Sequence, residues 1–148
     1  ALFYFYTMED LLCLDKQLCF SIYVLHREMM QKYRPLLDEL DLTYPQYIAM
    51  MALWKEDNQT VNQLGEKLQL DNGTLTPLLK RLELKKLLTR TRSKEDERVV
   101  KILLSEKGKS LKEQATCVPN KILNAMNLDI EEMKQLKSLS DKIISKIQ

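Results

Sequence analysis

Apolar residues recur at helical spacing along almost the whole chain. Leu11, Leu14, Leu18, Ile22, Leu25 and Met29 follow one another at three- and four-residue steps, which predicts one long helix from about Met8 to Gln31 with a single buried stripe. Pro35 should interrupt it and leave PLLDELDL as a short helix ending near Leu42. Thr43, Tyr44, Pro45 and Gln46 have the form of a capping box with proline close behind the cap, so a new helix should run to about Lys55. EDNQ, residues 56–59, reads as a loop.

Thr60 and Gln63 form a second capping box, opening a short helix through about Leu68. Gln69 and Leu70 make a turn, and Asp71 caps the next helix, which should reach about Lys86 with Leu75, Leu78, Leu79 and Leu82 on its buried face. Two short helices joined by a tight turn, the second of them basic, make a helix-turn-helix. Leu87–Arg92 and Arg98–Leu104 then resemble strands joined by SKEDE, a polar hairpin tip. Ser105 can cap a fifth segment reaching about Met126. Asp129 and Glu132 open a last helix with Ile130, Met133, Leu136, Leu139, Ile143 and Ile147 on one face.

The expected fold class is therefore mainly α: a winged helix-turn-helix of helices plus a two-stranded wing, with N- and C-terminal dimerisation helices. One domain should span 1–148, with the helix-turn-helix and wing at 60–105 and the dimerisation helices at 8–32 and 106–148. The terminal helices carry more apolar stripe than a core of this size covers, so a homodimer with two reading heads is expected.

Charge sharpens this picture where composition does not. The net charge is only +2, but nine Lys/Arg against four Asp/Glu fall between Lys80 and Lys101, while the rest of the chain is net acidic. That concentration is the electrostatic footprint of phosphate contact, and double-stranded DNA is the expected partner. Asn72, Gly73, Thr74 and Thr76 at the start of the second helix are small or polar and can enter a major groove. Pro77 removes one helical hydrogen bond, tolerably near the start, and offers its ring to a thymine methyl. Lys80 and Arg81, one turn on, suit phosphate or a guanine edge. In the wing, Arg98 beside the hairpin tip suits a narrow minor groove, with Asp96 to orient it. Arg90, Arg92 and Lys94 suit phosphate.

No run of about 18 apolar residues spans a membrane, so no membrane partner is expected. ALFYFYT has no basic flank and no small-residue cleavage site, so it does not read as a signal peptide. Met8 is the expected natural start, with residues 1–7 a cloning remnant or a flexible arm. Three cysteines without a CxxC pair, and one histidine, His26, argue against a disulfide scaffold or a metal site. A reducing cytoplasm, no cofactor and no catalytic cluster are the expectations. A cysteine on a long amphipathic helix is, from the residues alone, more often core than sensor.

KQLCFSIYV at 16–24, LDLTYPQYIAMMALW at 40–54, LDNGTLTPLLKRLE at 70–83 and RSKEDERVVKILLSEKG at 92–108 change that reading. On these stretches the chain resembles the MarR family of bacterial winged-helix repressors and, within it, the OhrR-like thiol-based sensors of organic peroxide. The resemblance implies that Cys19 is the peroxide-reactive thiol, oxidised first to a sulfenic acid. It implies that Tyr33 and Tyr44 reach that sulfur from the partner subunit, where phenol donors would favour a thiolate. It makes Cys117 the candidate resolving thiol, across the dimer. Cys13, if six residues away on the same helix, would be about 9 Å along the axis, beyond disulfide reach. A pairing of Cys13 with Cys117 remains open. The function expected is a bacterial, nucleoid-associated repressor released from a pseudo-palindromic operator by cysteine oxidation. The alternatives are a MarR-like regulator answering to a small phenolic ligand with its thiols incidental, a thiol peroxidase, and a nucleoid protein that senses nothing.

Overall fold

The computed structural model describes residues 12–96 and 98–148. The expected helix start at Met8 and the nature of residues 1–7 lie outside the described residues. The element order is α1 (Leu18–Asp38), α2 (Tyr44–Lys55), β1 (Gln59–Thr60), α3 (Val61–Leu68), α4 (Asn72–Leu84), β2 (Leu88–Arg92), β3 (Val100–Leu104), α5 (Glu106–Ala115), α6 (Val118–Met126) and α7 (Ile130–Ile147). This is a winged helix-turn-helix. The strands pair antiparallel in the order β1-β3-β2, with Arg90 opposite Ile102 and Gln59 opposite Ile102 on its other side.

Three caps predicted from sequence are present. Thr43 with Gln46, Thr60 with Gln63 and Asp129 with Glu132 form capping boxes at the starts of α2, α3 and α7. Asp71 and Ser105 cap α4 and α5 through their side chains. The predicted face of α4 is the inner one, since Leu75, Leu78, Leu79 and Leu82 are all buried. They meet Met50 and Leu53 of α2, Leu64 of α3 and Ile102 of β3 in one cluster.

Four expectations need correction. The first predicted helix does not run unbroken to Gln31. A 3-10 turn (Leu14–Lys16) ends at Gln17, which is extended, and α1 starts at Leu18. Leu14 and Leu18 are exposed, so among the described residues this end of the stripe has no packing to hold it helical. Second, Pro35 does not end the helix. Tyr33, Leu36 and Leu37 around it pack into the core, which offsets the roughly 3 kcal/mol that an interior proline costs. Third, the segment expected from Ser105 to Met126 divides at Thr116 and Cys117 into α5 and α6. Fourth, the expected loop at 56–59 ends in β1. Its Gln59 is buried and donates to the carbonyls of Ala52 and Glu56, closing the end of α2. Asp57 accepts the Leu104 N–H at 2.9 Å, which holds the end of β3.

The end of α4 and the start of α5 meet head to tail. Lys86 takes the left-handed conformation (φ 60°), and Leu87 N–H returns to the Leu82 carbonyl. The carbonyls of the next three residues, Lys85, Lys86 and Leu87, are met by the start of α5. Ser105 Oγ donates to Lys86 at 2.7 Å, Ser105 N–H to Leu87 at 3.1 Å and Lys107 Nζ to Lys85 at 3.0 Å. Gly108 makes this approach possible: a Cβ there would stand 2.0 Å from the Leu87 carbonyl oxygen. Trp54 Nε1–H of α2 donates to the Gly108 carbonyl at 2.8 Å from the other side.

A Gly108→Ala variant is expected to lose about 2 kcal/mol or more of folding stability, because the Leu87 backbone must move. Trp54→Phe, which loses one hydrogen bond to the same segment, should cost about 1 kcal/mol. Urea denaturation of the three proteins checks this, and a Gly108→Ala variant as stable as the parent would contradict the packing described.

Candidate nucleic-acid interface and thiol site

The first turn of α4 stands clear of the core. Asn72, Gly73, Thr74, Thr76 and Pro77 are all exposed, as are Lys80 and Arg81 one turn on. The structure thus brings the sequence-predicted groove residues onto one accessible end of the helix. Its free N–H groups and positive dipole end face outward with them. The Asp71 carboxylate is held below the usual carboxylate range by its hydrogen bonds from the Thr74 backbone and then the Thr74 hydroxyl. Asn72 Nδ2 donates to Asn62 Oδ1 of α3 at 3.1 Å, tying the two helices of the motif at their exposed edge.

The wing folds back toward that edge. Ser93 N–H donates to Val99 at 2.8 Å and Val99 N–H to Asp96 at 2.9 Å, which closes the tip. Arg98 is 92% exposed in its side chain, and Asp96 accepts both its backbone N–H (3.0 Å) and its Nε–H (3.2 Å). Asp96 therefore orients Arg98, as the sequence suggested, and the pairing with Arg98 holds its carboxyl below the ordinary range. Between the helices and the wing lies a cleft of about 330 Å³ that takes in Asn62, Asn72, Thr76, Arg90 and Arg98.

The cations of α4 and the wing differ in their freedom. Lys80, Arg81, Arg92 and Lys94 have no ion-pair partner among the described residues. Arg90, read from sequence as a phosphate contact, has another engagement. Its backbone N–H, Nε and Nη2 all bond to Glu83 of α4, at 3.0, 3.1 and 2.7 Å. It is half-buried and acts as a strut between the helix and the wing. Glu83 was not singled out from sequence; the one acid on the basic side of α4 was the available signal. Lys85 is engaged too, with Asp41 at 2.9 Å.

The candidate thiols lie on other elements, Cys19 on α1 and Cys117 at the start of α6. Cys19 is exposed in the first turn of α1, nearer the helix start than the sequence suggested. Because the chain breaks at Gln17, Cys13 and Cys19 are not on one helix, and the rise that ruled out their pairing does not apply. Cys117 is exposed at the N-cap of α6, and its thiol donates to the Gln114 carbonyl at 3.4 Å. Lys121, one turn on, reaches Glu39 at 3.3 Å; that hydrogen bond, and then the charge of the nearby Cys117, hold its ammonium above the usual lysine value.

Tyr33 and Tyr44 come together with ring centroids 4.9 Å apart, and Tyr47 joins them at 6.3 and 6.5 Å. Burial, and then the neighbouring Tyr44 and Tyr47, push the Tyr33 phenol up to about 12, so it stays protonated and able to donate. Cys19 is not part of this cluster within one subunit. Fourteen residues of continuous α1 separate it from Tyr33, a rise of about 21 Å. Tyr23, missed from sequence, lies one turn after Cys19 on the same face, with the Arg27 guanidinium 6.0 Å from its ring centroid. Its spacing of four from the cysteine was the signal. Among the described residues no group of three or more His, Cys, Asp or Glu is set to hold a metal ion, and no helix is long and apolar enough to cross a membrane.

Residues 31–115 match the family described as transcriptional regulator SarA/Rot. The chain is 52% identical over 129 residues to the organic hydroperoxide resistance transcriptional regulator of Bacillus subtilis (strain 168), covering 87% of this chain and 88% of the relative. It is similar to the solved structure of AbfR, a Staphylococcus epidermidis protein, in reduced form bound to DNA, with a TM-score of 0.80, 32% identity and coverage of 95% and 96%. Its likeness to the disulfide form of AbfR has a TM-score of 0.64, with 33% identity and coverage of 94% and 92%.

The Glu83–Arg90 strut has a pH signature. Its hydrogen bonds from Arg90 depress the folded-state value of Glu83 below 4.5, so its contribution is present above that value and is lost as pH falls through the folded one. Glu83→Gln should cost at most about 1 kcal/mol at pH 7, since the pair is partly solvated. That difference should vanish in acid, once Glu83 of the parent is protonated. Urea midpoints at pH 7 and at low pH check it; a loss that is the same at both would show the ion pair is not its source.

Proposed function

The chain belongs to the SarA/Rot family of MarR-like winged-helix transcriptional regulators, and on that premise we propose that it is a homodimeric repressor released from a pseudo-palindromic operator when an organic hydroperoxide oxidises Cys19. The observation that carries this reading is the extended identity with the Bacillus subtilis regulator, whose name joins transcriptional regulation to organic hydroperoxide resistance. The higher likeness to reduced, DNA-bound AbfR than to its disulfide form supports taking the described conformation as the operator-competent one.

The dimer follows from unburied apolar surface. Leu18, Ile22 and Tyr23 of α1 and Ile130, Leu139, Ile143 and Ile147 of α7 are exposed, and α7 has no buried residue. A second copy covers these faces, and it brings Tyr33 and Tyr44 to a sulfur they cannot reach within their own subunit. Two reading heads then meet successive turns of one DNA face. Asn72, Gly73, Thr74, Thr76 and Pro77 enter the major groove, Lys80, Arg81, Arg92 and Lys94 hold phosphate, Arg98 enters the minor groove, and Arg90 keeps its neighbours in place. The protein works in the cytoplasm and turns over no substrate.

The redox steps balance without a cofactor. The Cys19 thiolate attacks the hydroperoxide; an S–O bond forms, the O–O bond breaks and the alkoxide leaves as the alcohol after taking a proton. The Cys117 thiolate of the second subunit then attacks the sulfenic sulfur. An S–S bond forms, the S–O bond breaks and hydroxide leaves as water. A second reading, a regulator answering to a small phenolic ligand, draws on the cavity of about 420 Å³ between α2 and α5 walled by Tyr47, Met51 and Trp54, with Lys55 and Lys112 beside them.

Cys19→Ser should bind the same DNA as the parent and hold it in cumene hydroperoxide, while the parent loses roughly tenfold or more in affinity. On non-reducing electrophoresis the oxidised parent should give a dimer-sized band that Cys117→Ser lacks. Release of Cys19→Ser by hydroperoxide would sink the sensor assignment, and an intact mass unchanged by hydroperoxide would favour the phenolic ligand.

A further inference from the structure

The cap at the start of α4 fixes more than the helix. Asp71 Oδ1 accepts the Thr74 backbone N–H at 2.8 Å, and Asp71 Oδ2 accepts the Thr74 hydroxyl at 2.9 Å. Gly73 leaves room for this: a Cβ at that position would stand 2.9 Å from Asp71 Oδ1. An ionised carboxylate has lone pairs and no proton to give, so the single hydroxyl proton of Thr74 must lie in this bond. Those same hydrogen bonds favour the ionised form of Asp71. Thr74 is exposed, and what it can show to a partner is a hydroxyl lone pair and a methyl group.

We infer that Thr74 is a specificity-determining residue that accepts, and does not donate, a hydrogen bond in the major groove, and so selects adenine or cytosine on the strand it faces. The inference rests on the reading of α4 as the helix that enters the groove. Adenine N6 and cytosine N4 are amino donors there, whereas guanine O6 and thymine O4 are acceptors. A Thr74 oxygen placed against either of the last two sets acceptor against acceptor and leaves both unsatisfied. Each base pair holds one amino and one keto group, so what Thr74 reads is which strand carries the amino group. Asp71, which would not touch the base, acts through Thr74 as a positioning residue.

The role of Asp71 makes the inference reversible by one atom. Asn is as good an N-cap as Asp, and its carbonyl oxygen still accepts the Thr74 N–H. Its amide would donate to Thr74 Oγ1 where the carboxylate accepted. In Asp71→Asn the Thr74 proton is therefore released and can be given to a keto oxygen.

The test is selection from a randomised DNA duplex pool, followed by sequencing, with the full-length reduced parent, Thr74→Val, Thr74→Ser and Asp71→Asn. Thermal melting establishes that each variant is folded. The parent should enrich adenine or cytosine at one position of each half-site, by about fivefold for a single hydrogen bond. Thr74→Val should lose that preference alone, Thr74→Ser should keep it, and Asp71→Asn should turn it toward guanine or thymine. A Thr74→Val profile identical to the parent's overturns the inference while leaving the DNA-binding reading intact. So does a Thr74-dependent position that holds guanine or thymine in the parent. If the folded parent enriches no sequence, the reading of α4 as a recognition helix itself falls, and the inference with it.

Discussion

The approach of α5 to the end of α4 is the contact on which the rest of the molecule depends. The backbone that turns out of α4 has three carbonyls that need donors. Here Ser105 and Lys107 supply them from the positive end of the next helix, at the carbonyls of Lys85, Lys86 and Leu87. The fit requires Gly108, whose missing Cβ makes room for the Leu87 carbonyl. Trp54 holds the Gly108 carbonyl from α2. Three elements to which the proposal gives different parts of the chemistry, α2 with Tyr44 and Tyr47, α4 with its exposed first turn and α5 leading to Cys117, are fastened at one point.

That fastening shapes how an oxidation at one end can be felt at the other. Glu83 and Arg90 add a second tie, between α4 and the wing, so the groove residues and Arg98 share one support. Tyr33, Tyr44, Tyr47 and Trp54 form a run of ring contacts from α1 along α2 to the Gly108 carbonyl. With these joints in place, the proposed switch operates by moving each reading head as a unit with its own α2 and α5. A two-headed protein on DNA is sensitive to such movement, because the half-sites fix the distance between its heads.

The winged helix was legible because its signals are local. Capping residues at Thr43, Thr60, Asp71, Ser105 and Asp129 mark helix starts through hydrogen bonds that span only three residues. The leucine face of α4 was legible for the same reason. What sequence reading missed depends on packing across the chain. Continuity of α1 through Pro35 is decided by Tyr33 and Leu37 seated in the core, and the break at Gln17 goes with the exposure of Leu14 and Leu18 among the described residues. The strand β1 is two polar residues held by Gln59 and Asp57, with no periodicity to read. Within the candidate site, residue types pointed to DNA and to a thiol. The pairing of Arg90 with Glu83, and of Lys121 with Glu39, became visible only once separate segments met.

In the proposed switch, oxidation changes the spacing of two rigid reading heads. The most direct measurement is the distance between spin labels attached through a ketone-bearing amino acid at position 84 of each subunit, which leaves the thiols free. Leu84 is 73% exposed at the end of α4, so a label there reports the head without entering the core. One distance distribution is expected in the reduced dimer and a clearly displaced one after cumene hydroperoxide, with no displacement in Cys19→Ser. An unchanged distribution in a parent protein that hydroperoxide has released from DNA would contradict the proposed switch.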